Sequence, residues 1–226
     1  MSDNGPRRLA NKGFATLALH YFGDHDALPD ELEGIPLSYV DAAADWLRDQ
    51  EAVAGDRLAL VGVSRGAELA LLLGARREWV GAVVSYSGSV PWDTPSDEPA
   101  WLDDGEVVPH ITAEKAPRFE DLDDKPVADV VPAVERTGGP VLLLSGGDDH
   151  VWNARRLSEA VAERLREHEF PHEFEHRTYD DVGHYVGTPY APLGALGDET
   201  RQRATAHAGE DAWPLVLECL EDGLRE

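Results

Sequence analysis

The stretch Arg57–Arg77, "RLALVGVSRGAELALLLGARR", constrains the fold more than any other part of this chain. It opens as a short apolar run, narrows to Gly62-Val63-Ser64-Arg65-Gly66, and resumes with apolar residues at helical spacing. A buried strand that becomes a helix within a few residues needs a tight bend, and two glycines around one serine imply a backbone too cramped for side chains. Strand and helix patterns alternate along the rest of the chain. "FATLALHYF" (14–22) reads as a strand buried on both faces, and "PLSYVDAAADWLRD" (36–49) as a helix capped by Ser38. "RLALVGV" (57–63), "VGAVVSYSG" (80–88), "PVLLLSG" (140–146) and "HEFEHRTYD" (172–180) read as further strands. Helices are predicted over 67–77, 154–168 and from Gly209 to the end. The expected fold class is α/β, a mostly parallel sheet flanked by helices with right-handed crossovers. At 226 residues the chain suits one domain, 1–226, carrying a long polar, lid-like insertion at about 91–137.

Composition excludes several partners. The formal net charge of −24 argues against nucleic acid, which needs a basic footprint, and against an anionic membrane surface. Only Lys12, Lys115 and Lys125 are lysines; the remaining basic residues are arginines. An acidic, lysine-poor surface implies work in high salt, where screening weakens self-repulsion, and so a halophilic cytoplasm. No stretch reaches the ~18 apolar residues of a membrane span, and the N-terminus is too polar for a signal peptide. Cys219 is the only cysteine, expected as a small buried helix residue.

The bend itself points to chemistry. A serine at the crest of a strand-to-helix turn, with Gly two residues to either side, is the setting of a nucleophile elbow. The helix leaving it aims its amides at any oxyanion formed over Ser64, the Arg65 backbone N–H being one donor. A serine hydroxyl needs a base, and His184 in "DDVGHYVG" follows the last strand in a loop. An orienting carboxylate is offered by "SGGDDHVW" after the strand at 140–146. The order nucleophile, acid, histidine is that of the α/β-hydrolases. Their acid turn is usually Gly-x-x-Asp, which favours Asp149, three residues after Gly146, with Asp148 as the alternative. Such a triad needs neither cofactor nor metal.

Other residues have competing roles. Trp92, Trp101 and Trp152 lie in the lid stretch or beside the acid loop, where they line an acyl pocket or simply pack. Glu68, in the first turn of the elbow helix, either stabilises its dipole or acts beside Arg65 in placing substrate. His168, His172 and His176 are spaced by four, but Pro171 and the alternation of "HEFEH" break the helix that would stack them as metal ligands. Arg65, Arg118, Arg155 and Arg156 are candidates for CoA phosphates, with surface solvation the competing account.

Five segments, "NKGFATLALHYFG", "ELEGIPLSYVDAAADWL", "VGVSRGAELALLL", "GPVLLLSGGDDHVWNA" and "FPHEFEHRTYDDVGH", together with the tail "TRQRATAHAGEDAW", resemble the C-terminal catalytic domain of acyl-CoA thioesterases. The bile acid-CoA:amino acid N-acyltransferases share that domain. The resemblance implies an α/β-hydrolase fold with Ser64 as nucleophile, Asp149 as acid and His184 as base. Because the acyltransferase branch favours cysteine at the nucleophile position, a serine here implies hydrolysis. The substrate implied is a small-molecule acyl thioester, attacked to give an acyl-serine and CoA. A dienelactone-hydrolase-like carboxylesterase and a catalytically impaired remnant are the rivals. The chain departs from the family in lacking an N-terminal β-sandwich. It also lacks the strand and loop that, in this fold, lie in the sheet between 14–22 and 57–63. That loop supplies the second oxyanion donor, whose loss costs roughly 10²–10³ in turnover. Three outcomes are open: 14–22 moves beside 57–63, a slot stays empty, or the chain is a fragment of a longer protein. The expectation is the last, an N-terminally truncated domain.

Overall fold

The structure is a computed structural model that describes residues 4–23, 25–88, 90–92, 98–112, 114–115, 126–187 and 198–225. A short helix, α1 (Asn4–Ala10), precedes β1 (Ile35–Pro36) and α2 (Leu37–Arg48). The elbow stretch forms β2 (Leu58–Val63) and α3 (Arg65–Gly74), and β3 (Val80–Tyr86) follows. The polar stretch contributes β4 (Trp101–Asp103), β5 (Glu106–Val107) and two 3₁₀ turns, Ala128–Val130 and Val134–Arg136. The chain closes with β6 (Val141–Gly146), α4 (Ala154–Glu167), β7 (Phe174–Tyr179) and α5 (Glu199–Leu224).

β2, β3, β6 and β7 form one sheet in that order, and every pairing in it is parallel. Period-two alternation along β3 sorts its side chains onto two cores. Val83 joins the leucines of α3 and α4, Leu71 to Leu73 and Leu157 to Leu165. Ala82, Val84 and Tyr86 face Ala208, Ala212, Val216 and Leu220 of α5. The sheet is therefore covered on both faces, as an all-parallel sheet must be. α4 buries Ala154, Leu157, Val161, Ala162 and Leu165, one stripe at helical spacing, and begins where the Asn153 side chain accepts from the Arg156 N–H at 3.0 Å. Cys219 is buried in α5, as its apolar run predicts, and burial pushes its thiol up to about 12.

Several sequence expectations are corrected. Residues 14–22 form no strand. Phe14, Leu19 and Tyr21 are partly buried against the cores, while Leu17 and Phe22 face solvent. The physical reason is pairing: among the described residues no strand hydrogen-bonds to this run, so its backbone has no ladder to join. It is held by side chains instead, as where the Tyr39 hydroxyl donates to the His20 carbonyl at 2.9 Å. β2 is accordingly an edge, with Val61 exposed. α2 is not capped by Ser38; its N-cap is Pro36, whose φ of −74° already suits the turn into the helix. α5 starts ten residues before Gly209, at Glu199, capped by Asp198, whose side chain accepts from the Arg201 N–H at 3.0 Å. It runs through Pro214, which faces solvent.

Within 91–137, residues 93–97, 113 and 116–125 lie outside the described residues. The remainder is more regular than a polar loop: β4 pairs antiparallel with β5 and parallel with β1. The hairpin turns on Asp104 and Gly105, with φ of +50° and +83°.

Candidate active site

The elbow's geometry starts from its backbone. Ser64 has φ +58° and ψ −125°, a conformation costly for any residue with a Cβ, and it heads α3 without using its side chain as a cap. Its N–H donates to the Tyr86 carbonyl at 2.8 Å, tying the crest to the end of the neighbouring strand. A Cβ on Gly62 would fall 2.1 Å from the Gly66 carbonyl oxygen, so glycine is obligatory there. Gly66 differs: its nearest non-local neighbour is the Tyr21 hydroxyl at 3.6 Å, an ordinary contact. Of the two flanking glycines, then, only the first is enforced by crowding. Gly62→Ala is expected to cost about 1–3 kcal/mol, lowering the melting temperature by several degrees, whereas Gly66→Ala leaves it nearly unchanged. Parallel calorimetric melts of the two variants check this.

His184 and Asp149 meet at the ends of the next two strands. His184 Nδ1 lies 2.8 Å from Asp149 Oδ2, and the other carboxylate oxygen accepts from the Val151 and Trp152 N–H groups at 2.9 and 3.4 Å. Asp149 is 1% exposed. A buried carboxylate held by backbone donors only accepts, so Nδ1 carries the proton and Nε2 is left as a base. Asp148 is a different residue altogether: its side chain is 42% exposed and engaged by Arg201 and His150. The approach of the two loops depends on Gly146, whose Cβ would meet the Gly183 and Val182 carbonyl oxygens at 2.1 and 2.4 Å. The Asp148 N–H donates to the Val182 carbonyl at 2.9 Å, pinning the His184 loop to the acid loop.

Trp152 links this pair to the elbow. Its ring meets His184 edge-on, with centroids 4.7 Å apart, and its Nε1 donates to the Ser87 carbonyl at 3.2 Å. Ser87, one residue beyond the Tyr86 that holds Ser64, itself has φ +47°. Ser64 is thus tied to Tyr86, and the Trp152 that meets His184 to the adjacent Ser87, but no hydrogen bond joins Ser64 and His184 among the described residues.

The three tryptophans are all buried, at 2% exposure each, and belong to the main core. Trp101 Nε1 donates to Glu68 Oε1 at 2.5 Å, and Arg65 donates to Glu68 Oε2 at 2.6 Å and to the Trp92 carbonyl at 2.7 Å. Glu68 has no solvent exposure, so this buried pair knits the elbow helix to the 91–111 stretch. The Arg65 guanidinium is committed to that lattice, leaving its backbone N–H, at the first position of α3, as the group facing outward from the turn. Arg155 lies 3.8 Å from exposed Asp180, Arg156 flanks the start of α4, and Arg118 lies outside the described residues. His176 stands on β7 with its ring between Glu159 and Ser145, at 3.0 and 3.1 Å, and shares no ligand site with His168 or His172 among the described residues. Sequence reasoning missed Ser87 and Tyr21, since neither carries a motif.

Residues 35–225 match the family described as BAAT / acyl-CoA thioester hydrolase C terminal. The chain belongs to that family. Acyl-coenzyme A thioesterase 1 of Mus musculus is 32% identical over 94% of this chain and 52% of its own length. The peroxisomal succinyl-coenzyme A thioesterase of the same organism is 28% identical, over 92% of this chain and 54% of its own. The family member described here therefore spans about half the length of the curated relatives it matches. Among solved structures, an acylaminoacyl peptidase of Pyrococcus horikoshii superposes with a TM-score of 0.53 at 13% identity, covering 84% of this chain and 27% of that one. A dienelactone-hydrolase-like protein of Klebsiella pneumoniae gives 0.51 at 18% identity, over 82% and 60%. These likenesses establish the α/β-hydrolase fold. Among the described residues no helix is long and apolar enough to cross a membrane.

Proposed function

We propose that this family member is a serine hydrolase of acyl-CoA thioesters. The observations that carry the reading are a strained serine at the head of α3 and, after β7 of the same parallel sheet, a histidine whose Nδ1 is locked to a buried carboxylate. Ser64 Oγ attacks the thioester carbonyl as its proton passes to His184 Nε2, and the oxyanion is received by the Arg65 N–H. The C–S bond then breaks, and the thiolate of CoA takes the proton from His184. Water, deprotonated by the same nitrogen, attacks the acyl-serine, releasing the carboxylic acid and restoring Ser64. Asp149 stays ionised throughout and steadies the imidazolium. The family relationship supports the thioester, and the acidic surface supports assay in molar KCl.

The decisive comparison is between an acyl-CoA series, followed by thiol release, and p-nitrophenyl esters of the same acyl groups. The expected result is a kcat/KM at least tenfold higher for acyl-CoA. Faster turnover of the aryl esters transfers the reading to a carboxylesterase. Failure of a fluorophosphonate to label Ser64 in the folded protein identifies a silent relative.

A further inference from the structure

The elbow has a side chain over it that the triad does not use. Tyr21 is the penultimate residue of the apolar run 14–22, and its hydroxyl lies 3.6 Å from the point where a Gly66 side chain would begin. Gly66 is the second residue of α3, so the phenol stands at the helix turn that carries the Arg65 N–H. The ring is braced, not loose: it packs at 5.6 Å from Trp101, the tryptophan that Glu68 holds, and at 5.4 Å from Phe22. Glu68 and Arg65 both act electrostatically on the phenol, and burial above all pushes its pKa up to about 12. The group is therefore a protonated O–H at neutral pH. Among the described residues this hydroxyl has no hydrogen-bond partner. A donor without an acceptor beside a nucleophile elbow is unspent capacity.

We propose that Tyr21 Oη–H is the second oxyanion donor of this site, completing the pair begun by the Arg65 N–H, an assignment that rests on Ser64 being the nucleophile. Gly66, lacking a side chain, leaves the path from the phenol to the turn open. As Ser64 adds to the thioester, the carbonyl oxygen gains a full negative charge, which Tyr21 meets with a hydrogen bond. Its proton stays on Oη, and no bond to the tyrosine forms or breaks. A phenol placed so contacts the reacting oxygen only when charge develops, so its effect falls on kcat.

Tyr21→Phe tests this in the full chain. Among the described residues the hydroxyl has no hydrogen bond to lose, and the ring keeps its contact with Trp101, so the melting temperature is expected to stay within a few degrees of wild type. The expected result is a fall in kcat for acyl-CoA of roughly 10²–10³, with KM changed less than threefold. Affinity for a trifluoromethyl ketone analogue of the acyl chain, which forms the oxyanion reversibly on Ser64, falls in parallel. Affinity for the free fatty acid does not. Ser64-dependent activity that Tyr21→Phe retains within threefold overturns the role of Tyr21 alone. Wild-type activity that Ser64→Ala leaves intact overturns the serine reading, and the Tyr21 assignment with it.

Discussion

If the proposed mechanism holds, Ser64→Ala is expected to bring acyl-CoA hydrolysis down to the background rate, a loss on the order of 10⁶ in kcat, with the protein still folded and binding substrate with little change. The size follows from the role: without Oγ no acyl-serine forms, and the remaining donors stabilise an oxyanion that only water can generate. The fold is spared because Ser64 makes its structural bond through its backbone N–H, to the Tyr86 carbonyl at 2.8 Å, and does not cap α3. Ser64→Gly adds a second signature. The φ of +58° costs a side-chain-bearing residue about 1–3 kcal/mol, which glycine relieves against its own entropic cost of about 0.5–1 kcal/mol. The glycine variant is therefore expected to melt above wild type while being as inactive as the alanine variant. Mass spectrometry of protein quenched during turnover should find an acyl adduct on Ser64 in wild type and none in either variant. An alanine variant within tenfold of wild-type kcat would falsify the serine mechanism outright.

How far the sequence disclosed this site depends on how local each part is. β2, the elbow and α3 lie in one continuous stretch, so apolar spacing and the forced glycine at 62 revealed them together. β3 and β6, buried on both faces, announced themselves as unbroken apolar runs. The same signal misled at 14–22, because a run becomes a strand only when a neighbour accepts its backbone, and pairing is not written in the run itself. The hairpin at 101–107 was overlooked, although Asp104-Gly105 is a turn signal, because its strands are too short to show alternation. Glu68 was placed correctly in the first turn of α3, but its complete burial against Arg65 and Trp101 comes from the approach of a distant segment. Tyr21 had no motif at all; only the folded contact with Gly66 reveals it.

The proposed mechanism predicts that Asp149→Asn lowers kcat by about 10⁴ while the neighbouring Asp148→Asn changes it less than threefold. The two residues are adjacent and chemically identical, so the contrast isolates environment. Asp149 is 1% exposed and divides its oxygens between the His184 ring and two backbone N–H groups. An asparagine there keeps the shape, and its Oδ1 continues to accept from Val151 and Trp152. Its amide then turns an N–H toward His184 Nδ1, which must accept. The imidazole is driven into the tautomer protonated at Nε2, the nitrogen that takes the Ser64 proton in the proposed mechanism, and that base is blocked without any loss of packing. The melting temperature should accordingly stay near wild type. Asp148 has no such hold on the ring: it is half-buried at the surface and paired with Arg201 and His150, where a solvent-accessible ion pair contributes about 1 kcal/mol or less. The measurement is kcat/KM against pH for both variants, with nitrogen NMR of the imidazole to report the tautomer. Equal losses in the two variants, or an unchanged tautomer in Asp149→Asn, would show that the acid orienting His184 lies elsewhere.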